Sequence, residues 1–367
     1  MNILITGGAG FIGGALVREL QARHPAAALT VIDDFRGGDF ANLSSEGRAD
    51  VPAFSFAGDL VAAPLHELDL PRLLVERHID TVYHLASITD TTVDDAKQMV
   101  HENVTPFRHL LRWVTEAGHG PTRAELASEA ADVPATPPLA SPPAARRLVW
   151  ASSAATYGVD AGGAVGQRRA FVESDAGRPA NVYGFSKWLM ENLHRVAAAA
   201  HPAAHLVGLR YFNVFGPGEG HKGPMASMVR QIADTLLAGR APRLFNPGTQ
   251  TRDHVHVSDV VAATRAAARP GARPGIYNVG TGTATTFNAL TDTLRRVLDV
   301  ERPTTFVPNP HRFYQPHTQA DLSASTEALG WAPSVPTLEG VAAYARRLRD
   351  TWPNRRPGVP RPPTGCR

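Results

Sequence analysis

Cysteine is almost absent from this 367-residue chain: the single one, Cys366, lies next to the last residue. That excludes an internal disulfide framework and a cysteine-built metal site, and it points to a reducing, cytoplasmic setting. No stretch of eighteen apolar residues is present, so no membrane-spanning helix is expected. The first strand-like residues begin at Asn2, which leaves no room for a signal peptide. Charge is equally sparing. The formal net value is +3, with arginines dispersed or gathered in the final segment, so nucleic acid is not an expected partner. Fifteen histidines include no His-Glu-x-x-His motif, and no metal is expected. What remains is 43% hydrophobic, with a mean hydropathy of −0.18. This is the composition of a soluble globular chain, long enough for one large domain or a large-and-small pair.

The chain opens with Met1-Asn2-Ile3-Leu4-Ile5-Thr6-Gly7-Gly8-Ala9-Gly10-Phe11-Ile12-Gly13. Ile3, Leu4 and Ile5 read as a short buried parallel strand, and helical spacing begins by Ala15. Between them, Gly7, Gly10 and Gly13 form G-x-x-G-x-x-G, followed closely by Phe11 and Ile12 at the helix start. Glycines suit such a turn because backbone amides must approach a pyrophosphate closely, at a helix N-terminus whose dipole favours anions. A second strand, Leu29-Thr30-Val31-Ile32-Asp33, ends in an acid about twenty residues on. Asp33 is placed to accept both hydroxyls of an adenosine ribose.

Strand-like runs at 2–6, 28–33, 53–57, 80–86, 147–152 and 205–211 alternate with helical stretches at 11–23, 69–78, 95–116 and 182–200. This β-α-β rhythm predicts an α/β fold, a Rossmann-like doubly wound parallel sheet. Asp59 and Leu60, after the third strand, are expected beside an adenine. Leu85, Ala86 and Ser87, after the fourth, are expected beneath the pyrophosphate. Past Phe212 the rhythm breaks into Pro-, Gly- and Arg-rich segments with helices near 224–239, 286–298 and 337–351. The expected division is a dinucleotide-binding domain over 1–211 and a smaller substrate-binding lobe over 212–351, with some chain returning to the first. Residues 118–145, rich in Ala, Pro, Ser and Thr and without aromatics, read as a mobile surface insertion. Residues 352–367, rich in Pro and Arg, read as a disordered tail.

Tyr183 and Lys187 stand four apart on a predicted helix and share one face. Ser153 lies thirty residues upstream, at the end of a strand. An ammonium beside a phenol lowers its pKa, and a serine hydroxyl bonds the same substrate oxygen. Together they form a proton-transfer device for oxidising an alcohol while a hydride leaves carbon.

These motifs, with Arg210-Tyr211-Phe212-Asn213-Val214-Phe215-Gly216-Pro217, resemble the extended short-chain dehydrogenase/reductase family of nucleotide-sugar enzymes. Three shorter stretches, 152–158, Glu219-Gly220-His221-Lys222-Gly223 with Met225-Ala226-Ser227, and Thr318-Gln319-Ala320-Asp321-Leu322, resemble its ADP-glyceromanno-heptose 6-epimerase group. The resemblance implies an NAD(P)-dependent epimerase acting on a nucleotide-diphosphate sugar, and a homo-oligomer. A hydride leaves exocyclic C6 and returns to the opposite face, with no net redox change. Tyr183 is then the base, assisted by Ser153 and Lys187. Lys222 matches a second acid/base, with a phosphate-clamping lysine as the other reading. Asn213, His221, Arg252 and Tyr314 match substrate-pocket positions, Arg252 as the partner of the diphosphate. Asn103 joins the cofactor set.

Three departures bear on specificity. NADP-preferring members carry a lysine after the second-strand acid, whereas here Asp33-Asp34-Phe35-Arg36-Gly37-Gly38-Asp39 is acidic. Carboxylates repel a 2′-phosphate, so NAD is expected, with NADP as the alternative if Arg36 swings over it. The loop 87–92 is only loosely like that of the heptose group. Ala154-Ala155 stands where a 4,6-dehydratase carries its acidic pair, which argues against dehydration. A UDP-hexose 4-epimerase shares Ser, Tyr and Lys and is the main rival; Lys222 and its loop favour the heptose reading. A non-catalytic NAD(P)-binding regulator is disfavoured because both Tyr183 and Lys187 are retained.

Overall fold

The computed structural model describes residues 1–47, 50–91, 93–116, 146–159, 168–310 and 314–352. The insertion expected over 118–145 lies outside the described residues, as does the tail beyond Trp352. The chain begins with β1 (Asn2–Thr6), α1 (Phe11–Arg23), β2 (Ala28–Ile32), β3 (Ser44–Glu46), β4 (Ala53–Ser55), β5 (Asp59–Val61), α2 (Leu70–Glu76) and β6 (Thr81–His84). It continues through α3 (Ala96–Thr115), β7 (Arg147–Ser153), α4 (Val182–Ala200), β8 (His205–Tyr211) and β9 (Asn213–Phe215). Next come α5 (Met228–Leu237), β10 (Arg243–Phe245), β11 (Thr251–His256), α6 (Val257–Ala267), β12 (Gly275–Val279) and β13 (Ala284–Thr286). The described chain closes with α7 (Phe287–Leu298), β14 (Thr305–Val307), α8 (Ser323–Leu329) and α9 (Thr337–Thr351).

Seven strands form one parallel sheet in the order β12-β8-β7-β6-β1-β2-β5. Its central strands are apolar on both faces because helices cover both. On one face Ile3, Ile5, Val31, Val149 and Val207 pack with residues of α1 and α6. On the other, Leu4, Val82, Leu148 and Trp150 pack with residues of α2, α3 and α4. The ends of the parallel strands therefore open onto a common crevice, with β1 and β7 on its floor.

The third strand of the sheet is not the expected 53–57. Residues 53–55 pair antiparallel with β3 as a hairpin, and the place beside β2 is taken by Asp59–Val61, with Thr30 opposite Asp59. Phe54 and Phe56 supply the apolar signal, but they turn it onto the cluster around α1 instead of into the sheet.

After β8 the chain leaves the sheet. β9, β11 and β13 make a three-stranded sheet, β10 pairs with β14, and α5, α7 and α9 close around Phe215, Leu236, Leu294 and Tyr344. Gly275–Val279 then returns to pair with β8. Asp50, from the hairpin connection, clasps this excursion: it accepts from Arg230 Nη1 at 2.6 Å, Tyr344 Oη at 3.1 Å and Gly218 N at 3.3 Å.

Candidate active site

The glycine turn is shaped by contacts that no side chain could share. Gly7 has φ 73°, and a Cβ there would lie 2.7 Å from Ala86 N. A Cβ on Gly13 would lie 1.9 Å from Gly7 O. Helix α1 starts with Gly10 as its cap, without a side-chain cap bond and without an acid in its first turn. Its leading N–H groups and positive dipole end are thus left for an anion. Leu85 N and Ala86 N are held on Thr6 O and Oγ1, at 3.1 and 3.2 Å, so Leu85, Ala86 and Ser87 form the opposite wall. This cradle fits a dinucleotide diphosphate.

Asp33 accepts from Ala9 N at 2.8 Å and from Phe35 N at 2.9 Å. Burial raises its pKa, and these two bonds oppose the rise. The carboxylate lines the cavity and keeps acceptor capacity beyond these bonds. Asp34 and Arg36 line the same end, Arg36 Nε bonding Asp34 Oδ2 at 2.6 Å.

Tyr183 enters the cavity from the first turn of α4, which Asn181 caps by accepting from Gly184 N at 2.7 Å. Its hydroxyl is hydrogen-bonded to Ser153, which lowers its pKa against the larger upward push of burial. Lys187 behaves differently from the expectation of an ammonium acting on the phenol. Nζ donates to Ser87 Oγ at 2.7 Å and to Ala151 O at 2.8 Å, bridging the loop after β6 to β7. Burial brings its pKa down to about 7. Ser152 and Ser153 are steadied from behind by a buried network. Ser152 Oγ donates to Glu191 Oε1 at 2.7 Å, Arg210 pairs with both Glu191 oxygens at 2.8 and 2.7 Å, and Arg210 Nη1 reaches Tyr157 Oη at 3.0 Å.

The facing wall comes from the later chain. Lys222 lies over the Phe11 ring, 5.7 Å from its centroid, in a loop braced by buried Glu219. Glu219 accepts from Gly216 N, Ser227 N and Ser227 Oγ at 3.2, 2.6 and 2.8 Å. Burial lowers the Lys222 pKa, partly offset by Glu219. His221 meets Asn42 Nδ2 at 3.4 Å, and the same nitrogen donates to Ala9 O at 2.9 Å, joining this loop to the glycine turn. Arg252 sits between Tyr314 and Phe287, 4.8 and 5.8 Å from their centroids, and donates to Thr251 O at 2.8 Å. No carboxylate among the described residues pairs with it, and burial lowers its pKa. Asn213 accepts a 3.5 Å bond from Thr318 Oγ1. Asn213, His221, Lys222, Arg252 and Tyr314 line one cavity of about 1080 Å³ together with Gly7, Asp33, Ser153, Tyr183 and Lys187, large enough for two sizeable ligands side by side.

Residues 3–280 match the model of the NAD dependent epimerase/dehydratase family. The chain belongs to that family. Among solved structures it is similar to the ADP-L-glycero-D-manno-heptose-6-epimerase of Helicobacter pylori, at 30% identity over 95% of this chain and 96% of that one, TM-score 0.74. It also shares its fold with the UDP-glucose 4-epimerase of Thermotoga maritima, at 24% identity over 96% and 100% of the two chains, TM-score 0.75. The UDP-glucuronic acid 4-epimerase of Bacillus cereus, solved with UDP-glucuronic acid and NAD, is 24% identical over 95% and 99%, TM-score 0.74. This member of the epimerase/dehydratase family is therefore an NAD-dependent enzyme of nucleotide-sugar chemistry.

Two sequence-based placements differ in this enzyme. Asp59 and Leu60 stay outside the cavity because they form the exposed edge strand, where Asp59 pairs with Arg77; Ala63, Leu65 and His66 line the wall instead. Asn103 is fully buried and touches the site only indirectly, accepting from Ile88 N at 2.8 Å and donating to Ser186 Oγ at 3.1 Å. Glu102, Phe245, Gln250, His254 and Phe287 also line the cavity without having been foreseen. Gln98 and Glu102, four apart on α3, were the readable signal. The aromatic wall comes from short strands without a motif. His201 and His205, also four apart, share no helix face, since one ends α4 and the other opens β8. No helix among the described residues is long and apolar enough to cross a membrane.

Proposed function

We propose that this enzyme is a nucleotide-sugar epimerase that inverts exocyclic C6 of an ADP-linked glyceromanno-heptose through a 6-keto intermediate. The observation that carries the reading is the shared cavity. Tyr183, Ser153 and Lys222 line it together, while Arg252, with no carboxylate partner among the described residues, offers a cation to a diphosphate. Bound NAD supplies the hydride acceptor and returns the hydride. Tyr183, once ionised, takes the hydroxyl proton, and Ser153 bonds the same oxygen. Lys187, tied to Ser87 and the Ala151 carbonyl, holds the cofactor loop and the serine strand together. After rotation about C5–C6, Lys222 exchanges the proton at the other face, and burial lowers its pKa, which eases loss of the ammonium proton. Support also comes from the 30% identity to the heptose epimerase and from Ala154-Ala155, which offers no acid for dehydration.

The functional unit in this reading is a cytoplasmic homo-oligomer. Phe185 and Val196, 49% and 70% exposed, stand eleven apart on α4 and so share one face. The deciding experiment is incubation with ADP-, GDP- and UDP-linked heptoses and hexoses, following C6 and C4 configuration by NMR. C6 inversion of the ADP-heptose is expected. C4 inversion of a UDP-hexose without any C6 inversion overturns the reading.

A further inference from the structure

One ion pair crosses the Asp33 end of the cavity, and it lies outside the glycine fingerprint. Arg36 donates to Asp34 through Nε at 2.6 Å and through its backbone N at 3.1 Å. Its far end, Nη2, pairs with Glu102 on α3. Gln98 Nε2 donates to the other Glu102 oxygen at 2.8 Å, so the carboxylate is aimed as well as charged. The Glu102 side chain is only 10% exposed, whereas that of Arg36 is 53% exposed. All four residues line the cavity.

A guanidinium just past the second-strand acid is the group suited to pair a ribose 2′-phosphate. Here its fork is already committed at both ends. To meet a phosphate, Arg36 has to release Glu102, leaving a shielded carboxylate near an incoming dianion. We propose that Glu102 is a cofactor-specificity residue: by holding Arg36 across the groove, it selects NAD against NADP. This adds a determinant from α3 to the acids of the β2 turn. It rests on the Asp33 end being the adenosine site.

The test is calorimetric titration of the purified protein with NAD and with NADP, so that binding is read without turnover. Wild type is expected to bind NAD more tightly. Glu102→Gln is expected to improve NADP relative to NAD by about five- to tenfold, by freeing Arg36 and removing one repelling charge. Glu102→Asp, which shortens the reach to Arg36 without changing charge, is expected to move the ratio the same way by less. Adding Arg36→Ala to Glu102→Gln is expected to cancel most of the gain. An unchanged NADP-to-NAD ratio in both single variants overturns the inference. So does a gain that survives the Arg36→Ala addition, because Arg36 is then not the restrained group. A wild type that binds neither dinucleotide contradicts the adenosine-site assignment itself.

Discussion

Replacing Arg252 by methionine separates binding from stability with unusual clarity. In the protein alone, the guanidinium has one backbone acceptor, Thr251 O at 2.8 Å, a side-chain hydrogen bond with Tyr314, and two aromatic faces, Tyr314 and Phe287. The acceptor bond is worth about 1–2 kcal/mol and each cation–π contact about 0.5–2 kcal/mol. Against these stands the cost of keeping a buried cation out of water, several kcal/mol in itself. The two sides nearly cancel, so Arg252→Met is expected to shift the Tm of the ligand-free protein by less than about 5 °C. Binding has no such cancellation. Two charge-assisted bonds to a diphosphate contribute about 3–6 kcal/mol, so the Kd for the nucleoside diphosphate is expected to rise roughly 10²–10⁴-fold. Calorimetry of NAD-loaded wild type and variant with ADP and UDP, beside thermal melts, measures both effects. A Kd within threefold of wild type refutes the anionic role. A melting loss above about 10 °C shows instead that the guanidinium is a structural strut.

Three further outcomes are expected. Tyr183→Phe keeps the fold and NAD binding but loses about 10²–10⁴-fold in turnover, and retention of more than a third of the activity rules out Tyr183 as the base. Lys222→Met lowers kcat by about 10²–10⁴-fold with little change in KM; a raised KM with kcat intact assigns the lysine to phosphate clamping and removes the second acid/base. Lys187 has a pKa near 7 when folded and an ordinary lysine value when unfolded, so the unfolded chain holds the extra proton between those limits. Folded stability therefore gains from this group as pH rises from about 7 to about 10 and is indifferent to it below; Lys187→Met should flatten that part of the Tm–pH curve, and an unaltered slope contradicts the assignment.

Local signals were legible where spacing alone carries the physics. Gly7, Gly10 and Gly13 recur at the turn because backbone must touch backbone there, and the boundaries of α1 and α4 follow from uninterrupted helical spacing. The seating of Lys222 on Phe11 was not legible, because it joins residues 211 positions apart through folding of the later chain. Nor was the sheet edge. The strand 59–61 is too short and too exposed to display an apolar pattern, whereas Phe54 and Phe56 display one while serving a hairpin. Lys187 shows the other limit: spacing placed it beside Tyr183, but its partners, Ser87 and Ala151 O, are set by two neighbouring strands.

The return of Gly275–Val279 to the edge of the parallel sheet has a consequence for how the molecule is made. Strand β8 is complete at Tyr211, yet its outer row of amides and carbonyls finds a partner only when residue 275 arrives. At a synthesis rate of about 5–20 residues per second, the ribosome takes roughly 3–13 seconds to cover that interval. Throughout it, the nascent chain carries an unpaired apolar edge of the kind that recruits other chains. The excursion that builds the far wall of the cavity is thus also a delay in closing the sheet, and α7 and α9, which complete the small lobe, are made only after the sheet can close.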